Sequence, residues 1–161
     1  MLVDTSQRVI TLVRPRSFAG LMTLYESNYI RLRQLLGPLD ALPDRLRSEV
    51  DDDPPLSLAV VERARYTTSI VMTYWFAGAA GRLIADPDLA IKLYHDAGMA
   101  EVLACRNGRR HPLLRNYICG GQAEIARRWS ANMLLYKWLE YCIDRGHFDT
   151  QPRAFRPRRE H

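Results

Sequence analysis

Tyr94, His95, Asp96 and Glu101 crowd one short stretch, Tyr94 to Glu101 (YHDAGMAE). Phenol, imidazole and carboxylates are the groups that move protons or hold metals. A two-residue turn at Ala97–Gly98 sets His95 against Ala100 and Tyr94 against Glu101. Tyr94, Asp96 and Glu101 then share one face of the hairpin, and His95 lies on the other. A carboxylate from Glu62 nearby would add to an acid/base set. His95, pointing away, weakens a His/Asp/Glu metal set. The simpler reading is that these groups hydrogen-bond to one another and hold a tight turn.

A second group is Glu62, Arg63, Arg65, Tyr66, Thr67 and Thr68. Arg65 can grip a phosphate or carboxylate as a fork, with the Thr67 and Thr68 hydroxyls as further donors. The competing reading is a Glu62–Arg65 pair with threonines on ordinary strand positions. A third group is basic: Arg106, Arg109, Arg110, His111 and Arg115, followed by Tyr117. Cations interleaved with an aromatic can meet single-stranded nucleic acid, so Arg109, Arg110 and Arg115 are the candidate contacts. Arg153, Arg156, Arg158 and Arg159 repeat that character near the end. A solvated loop and a solubilising tail are the simpler readings, so nucleic acid is not the favoured partner. The chain has no GxSxG, GxxxxGK[ST], GxGxxG or HExxH pattern. No catalytic residue, metal set or cofactor is therefore expected.

The groups sit in a chain of 161 residues and 18.6 kDa, 47% hydrophobic and 25% charged. That suits one soluble domain with a single core. A bilayer-spanning helix needs about 20 mostly apolar residues, and no such run exists. The longest apolar-rich run near the N-terminus is Val9–Val13, too short for an export signal. Lys92 and Lys137 are the only lysines among 23 cationic residues, and the net charge is +5. That balance permits an anionic partner without arguing for one. Cys105, Cys119 and Cys142 form no CxxC pair, so buried thiols in a reducing cytoplasm are expected.

The elements that must position these groups read as helix, sheet, helix. Residues 1–16 form an arm. Ser17 caps a helix over about Phe18–Leu36, ended by Gly37 and Pro38. Phe18, Leu21, Met22, Tyr25, Tyr29, Leu32, Leu35 and Leu36 share a face, with Arg31 and Arg33 turned to water. Residues 38–55 form an exposed connection: Leu42–Val50 makes one or two turns, and Asp51–Pro55 is irregular. Leu56–Glu62, Thr67–Phe76, Leu89–Asp96 and Met99–Arg106 alternate as strands, with a turn at Asp86–Pro87–Asp88. Ile70, Met72 and Tyr74 share one face; Val71, Thr73 and Trp75 share the other. A final helix runs from about Gln122 to Arg145. Ile125, Trp129, Met133, Tyr136, Leu139 and Ile143 form its stripe, widened by Leu135, Trp138 and Cys142, and a Glu124–Arg128 pair sits on its wet side.

At Glu62–Arg65–Tyr66–Thr67–Thr68, at KLYHDAGMAEV around Leu93–Val102, and at Asn132 with Trp138–Leu139–Glu140–Tyr141–Cys142, the chain resembles the YqiB-like family of bacterial proteins, a domain of unknown function. The resemblance covers roughly residues 18–146 and keeps the order of elements. It implies a soluble cytoplasmic bacterial protein and supplies no activity. Cys119–Gly120–Gly121–Gln122 and Trp129–Ser130 depart from the more polar residues of relatives.

The expected architecture is α+β: a four-stranded antiparallel β-meander flanked by an N-terminal and a C-terminal amphipathic helix packed on one face. The arm is 1–16, the domain 17–146, and 147–161 a polar, Arg-rich tail. The expected function is non-enzymatic binding or regulation through the open sheet face and the two hairpins. The partner is then an unknown protein or a second copy in a homodimer, with no membrane involved. The alternatives are a small hydrolase or transferase using Arg65, Asp96 and Glu101, and nucleic-acid binding through Arg109–Arg115 and the tail.

Overall fold

Ser17 opens the first helix as its residue type predicts: its hydroxyl accepts from the Gly20 amide at 3.0 Å. A computed structural model describes residues 16–106 and 121–149. Helix α1 spans Phe18–Leu36 and ends where Gly37, at φ 81°, donates its amide to the Arg33 carbonyl. Five strands follow: β1 (Arg45–Ser48), β2 (Leu56–Arg63), β3 (Thr67–Ala77), β4 (Leu83–Tyr94) and β5 (Met99–Cys105). Helix α2, Gly121–Arg145, completes the order. The strands lie in sequence order in one antiparallel meander. No helix among the described residues is long and apolar enough to cross a membrane.

The α+β class holds, but the sheet has five strands, not four. The additional strand, Arg45–Ser48, lies in the segment expected to form isolated turns. Its pairing with β2 turns Leu46 partly inward and buries Ser48. Four residues are too few for alternation to show against a background of Pro and Asp. Arg63 helps secure the approach to this edge, donating to the Leu42 carbonyl at 2.6 Å and to Asp44 at 3.0 Å. The Asp86–Pro87–Asp88 cluster is likewise not a strand-ending turn. It lies inside β4, where the pairing register slips opposite Thr73–Trp75. The β3–β4 connection is instead made at Gly78–Arg82, where the Gly78 amide donates to the Arg82 carbonyl.

Alternation sends Leu58, Ile70, Met72, Tyr74, Leu89, Ile91 and Leu93 to one face. They pack with Leu32 and Leu35 of α1 and Leu135, Trp138, Leu139 and Cys142 of α2 as a single core. Removing a leucine from such a core costs about 2–5 kcal/mol. Arg31 departs from its expected place in water. It is 6% exposed, reaches the Tyr136 hydroxyl at 2.8 Å and pairs with Glu140 at 3.0 Å. Two partners on the facing helix offset the desolvation that would otherwise keep Arg31 outside. Phe18, by contrast, is exposed.

Asn132 of α2 joins three elements. Its Oδ1 accepts from the Val102 amide, its Nδ2 donates to the Arg128 carbonyl, and its own carbonyl accepts from Asn28 of α1. On the face away from the helices, Val71 and Thr73 are 7% and 4% exposed. Thr73 donates to Asp88 and the Trp75 indole to Ser57. Of the patch expected at Val71, Thr73 and Trp75, the first two are therefore buried and Trp75 stays half-buried. The chain past α2 also stays on the body, because the His147 side chain is fully buried.

Candidate functional site

The turn between β4 and β5 is wider than the two residues expected. Tyr94 pairs with Met99, Leu93 with Ala100 and Lys92 with Glu101, so residues 95–98 form the turn, with Gly98 at φ 63°. A left-handed conformation favours glycine and closes a four-residue loop without strain. His95 therefore leaves the strand and does not face Ala100. Its amide donates to the Tyr66 carbonyl at 2.9 Å, which ties this turn to the β2–β3 loop.

That tie brings parts of the two sequence-nominated hairpins together. The Thr68 hydroxyl lies 2.8 Å from His95 Nε2, and the Tyr29 hydroxyl of α1 lies 3.0 Å from Nδ1. Each hydroxyl can donate or accept, so the ring is held in either tautomer. Burial raises the Tyr29 phenol, the Asp40 carboxylate adds to the rise, and Arg33 opposes it. The phenol therefore stays protonated at neutral pH. His95 and Tyr29 line an open cleft of about 420 Å³ with Arg33, Gly37, Pro38, Leu39 and Asp40. α1 supplies Tyr29 and Arg33 one turn apart, and the sharp exit at Gly37–Pro38 folds Leu39 and Asp40 back beside them.

The other nominated residues are placed differently. Glu101 accepts from the Tyr94 hydroxyl at 3.1 Å and from Arg128 at 2.8 Å. Burial is the chief cause of the raised Tyr94 phenol, and Glu101 adds to it. Arg128 also pairs with Glu124, as the i,i+4 spacing predicts, and Arg127 joins them. Hydrogen bonds from Arg127 and Arg128 hold the Glu124 carboxyl down at about 2. This is a strap between β5 and α2. Arg65 is exposed, with its guanidinium 5.1 Å from the Tyr66 ring centre. Glu62, Asp96 and Tyr66 are exposed, and Thr67 sits opposite Tyr94. No hydrogen bond or ion pair among the described residues joins Arg65, Asp96 and Glu101. Arg109, Arg110 and Arg115 lie outside the described residues.

A second histidine, unread in the sequence, lies at the opposite extreme. His147 Nε2 is 2.5 Å from Asp53 Oδ2 and Nδ1 is 3.1 Å from the Ser48 hydroxyl. Tyr74 and Tyr141 each donate to Asp53 at 2.8 Å. Burial pushes the Asp53 carboxyl up, but hydrogen bonds from His147, Tyr141 and Tyr74 together outweigh it and hold the group below its ordinary range. Burial lifts the Cys142 thiol, 3.3 Å from the Tyr74 hydroxyl, to about 12. The order Ser48, His147, Asp53 imitates a nucleophile, a base and an orienting acid. No substrate reaches it: the His147 and Asp53 side chains are 0% and 1% exposed. The Ser48 oxygen is also occupied by the Phe148 amide. The group latches the 51–55 loop and the end of α2 to the sheet.

Residue type and spacing pointed to His95 and Thr68. They do not point to Tyr29, Arg33 and Asp40, whose spacing reads as helix face, surface and connection. The one available signal was the glycine–proline break that doubles the chain back on α1. Nothing local marks Asp53 or His147, which are separated by 94 positions. Among the described residues no cluster of three or more His, Cys, Asp or Glu could hold a metal ion.

The family described as "Protein of unknown function (DUF1249)" matches residues 31–148. The chain is similar to "Uncharacterized protein YqiB" of Escherichia coli strain K12, being 29% identical over 136 residues, which cover 80% of this chain and 90% of the relative. The same identity and coverage relate it to YqiB of Escherichia coli O157:H7. No solved structure matches. The family match takes in the cleft lining from Arg33 to His95, but not Tyr29, and the latch from Ser48 to His147. By that span, and in agreement with the resemblance in its hairpin residues, the chain belongs to the DUF1249 family of proteins of unknown function.

Proposed function

We propose that this protein is a non-enzymatic, cytoplasmic small-molecule-binding protein whose site is the His95 cleft at the hairpin end of the sheet. The observation that carries the reading is that Tyr29 of α1 and His95 of the β4–β5 turn meet on the wall of an open cleft of about 420 Å³, with buried Thr68 of β3 on the other ring nitrogen of His95. That volume lies in the range of ordinary ligand sites. Binding is favoured over catalysis because the hydroxyl nearest His95 Nε2 belongs to Thr68, which is buried at 4% exposure. Among the described residues no carboxylate orients the ring. This reading places the site at the hairpins and drops the sheet face, where Val71 and Thr73 are buried. The edge strand β1 carries exposed Arg45 and Arg47, a charge pattern that discourages pairing with a second copy.

Titration of isotope-labelled protein with a mixed set of small carboxylates, phosphates, amines and amino acids tests this. At least one compound class should shift the backbone amides of Arg33, Leu39 and His95, and His95→Ala should weaken that response. Shifts confined to other surfaces, or absent at every compound, would remove the cleft as the site.

A further inference from the structure

Arg33 and Asp40 line the same small cleft from the two sides of the Gly37–Pro38 break. Both side chains are exposed, and neither is taken up in a hydrogen bond or ion pair among the described residues. Their charges are opposite, and both line the cleft with Tyr29. The cleft therefore presents a cation and an anion together with Pro38 and Leu39 in its lining.

A ligand carrying only a carboxylate would pair with Arg33 but approach Asp40 unfavourably. A ligand carrying only an ammonium would meet the reverse. A molecule with both charges close together satisfies both, and an apolar side chain beside them would cover Pro38 and the Tyr29 ring. We infer that the cleft recognises a free amino acid or a short peptide end as a zwitterion, the carboxylate facing Arg33 and the ammonium facing Asp40. The fork of Arg suits a carboxylate, and an ammonium is a compact charge that a single carboxylate can hold. This rests on the binding function proposed for the cleft and assigns its ligand class.

The test compares three matched probes on the full chain by calorimetry and amide shifts: leucine, N-acetyl-leucine and leucinamide. Leucine should shift Gly37, Leu39 and Asp40 and bind at least about tenfold tighter than either single-charge probe, the scale of one lost charge-assisted hydrogen bond. Arg33→Gln should bring leucine down to the level of leucinamide on the same variant. Asp40→Asn should bring it down to N-acetyl-leucine. Both positions are exposed, so both variants should fold. If N-acetyl-leucine or leucinamide binds in the cleft as tightly as leucine, the zwitterion assignment fails while the binding site stands. If leucine leaves the cleft unshifted, the assignment also fails, and only the broader compound set decides whether the cleft binds anything.

Discussion

His95 and His147 occupy opposite environments in one small domain. His95 sits on the wall of an open cleft, and both ring nitrogens meet neutral hydroxyls. His147 is sealed, with a carboxylate on one nitrogen and a serine hydroxyl on the other. A buried carboxylate must be surrounded by donors or it destabilises the fold. Asp53 meets that demand with His147, Tyr74 and Tyr141. Neutral partners on an accessible ring make no such demand, so the His95 region can change its contacts when something binds. The contrast separates a group that holds the chain together from one that can meet a ligand.

The largest effect should come from the sealed histidine. Asp53→Ala leaves the Tyr74 hydroxyl and the His147 ring buried without their acceptor and should cost about 3–5 kcal/mol in chemical denaturation. A loss below about 1 kcal/mol would mean that the latch does not bind the loop to the sheet. The same carboxylate sets an acid response. Its folded pKa lies below the ordinary carboxyl value of about 3.9. Its stabilisation is therefore fully present above that value and is lost as pH falls through the lower, folded value. Wild type should lose more stability than Asp53→Asn between pH 6 and 3, measured as the urea midpoint at each pH; parallel losses would contradict this.

Next in size is Asn132→Ala, which removes the acceptor of the Val102 amide at the covered edge of β5 and should cost about 1–3 kcal/mol. Unchanged thermal unfolding would show that water replaces the lost partner. His95→Ala should cost less, about 1–2 kcal/mol, because Thr68 alone is left buried while Tyr29 can turn to solvent. If His95→Ala proved as costly as Asp53→Ala, the contrast between the two histidines would collapse. Arg33→Gln should sit at the bottom of the scale, within about 0.5 kcal/mol of wild type, since its side chain is exposed and unpaired among the described residues. Its effect should be seen in binding alone.

Much of the scaffold could be read in advance wherever the signal was local. Ser17 and Gly37 bracket α1 as their types predict. The alternation of Ile70, Met72 and Tyr74 placed the core face of β3 correctly. β1 was missed because four residues carry too little pattern, and Asp86–Pro87–Asp88 was read as a turn because a register slip inside a long strand uses the same residue types. At the site, composition singled out His95 and Thr68. The register shift from Glu101 to Met99 opposite Tyr94 then moved His95 off the strand and into reach of Tyr29.

Periodicity, caps and composition thus determined by themselves an α+β domain, its helix ends and the inward face of its strands. Only the tertiary structure decided that Arg31 turns inward to Glu140, that Asp53 meets His147 and that Arg33 and Asp40 share a cleft with His95. The physical reason is that a repeating backbone fixes which side of an element a residue occupies. Whether a polar group there can be buried depends on the partner that a distant segment delivers, and no local pattern encodes that meeting.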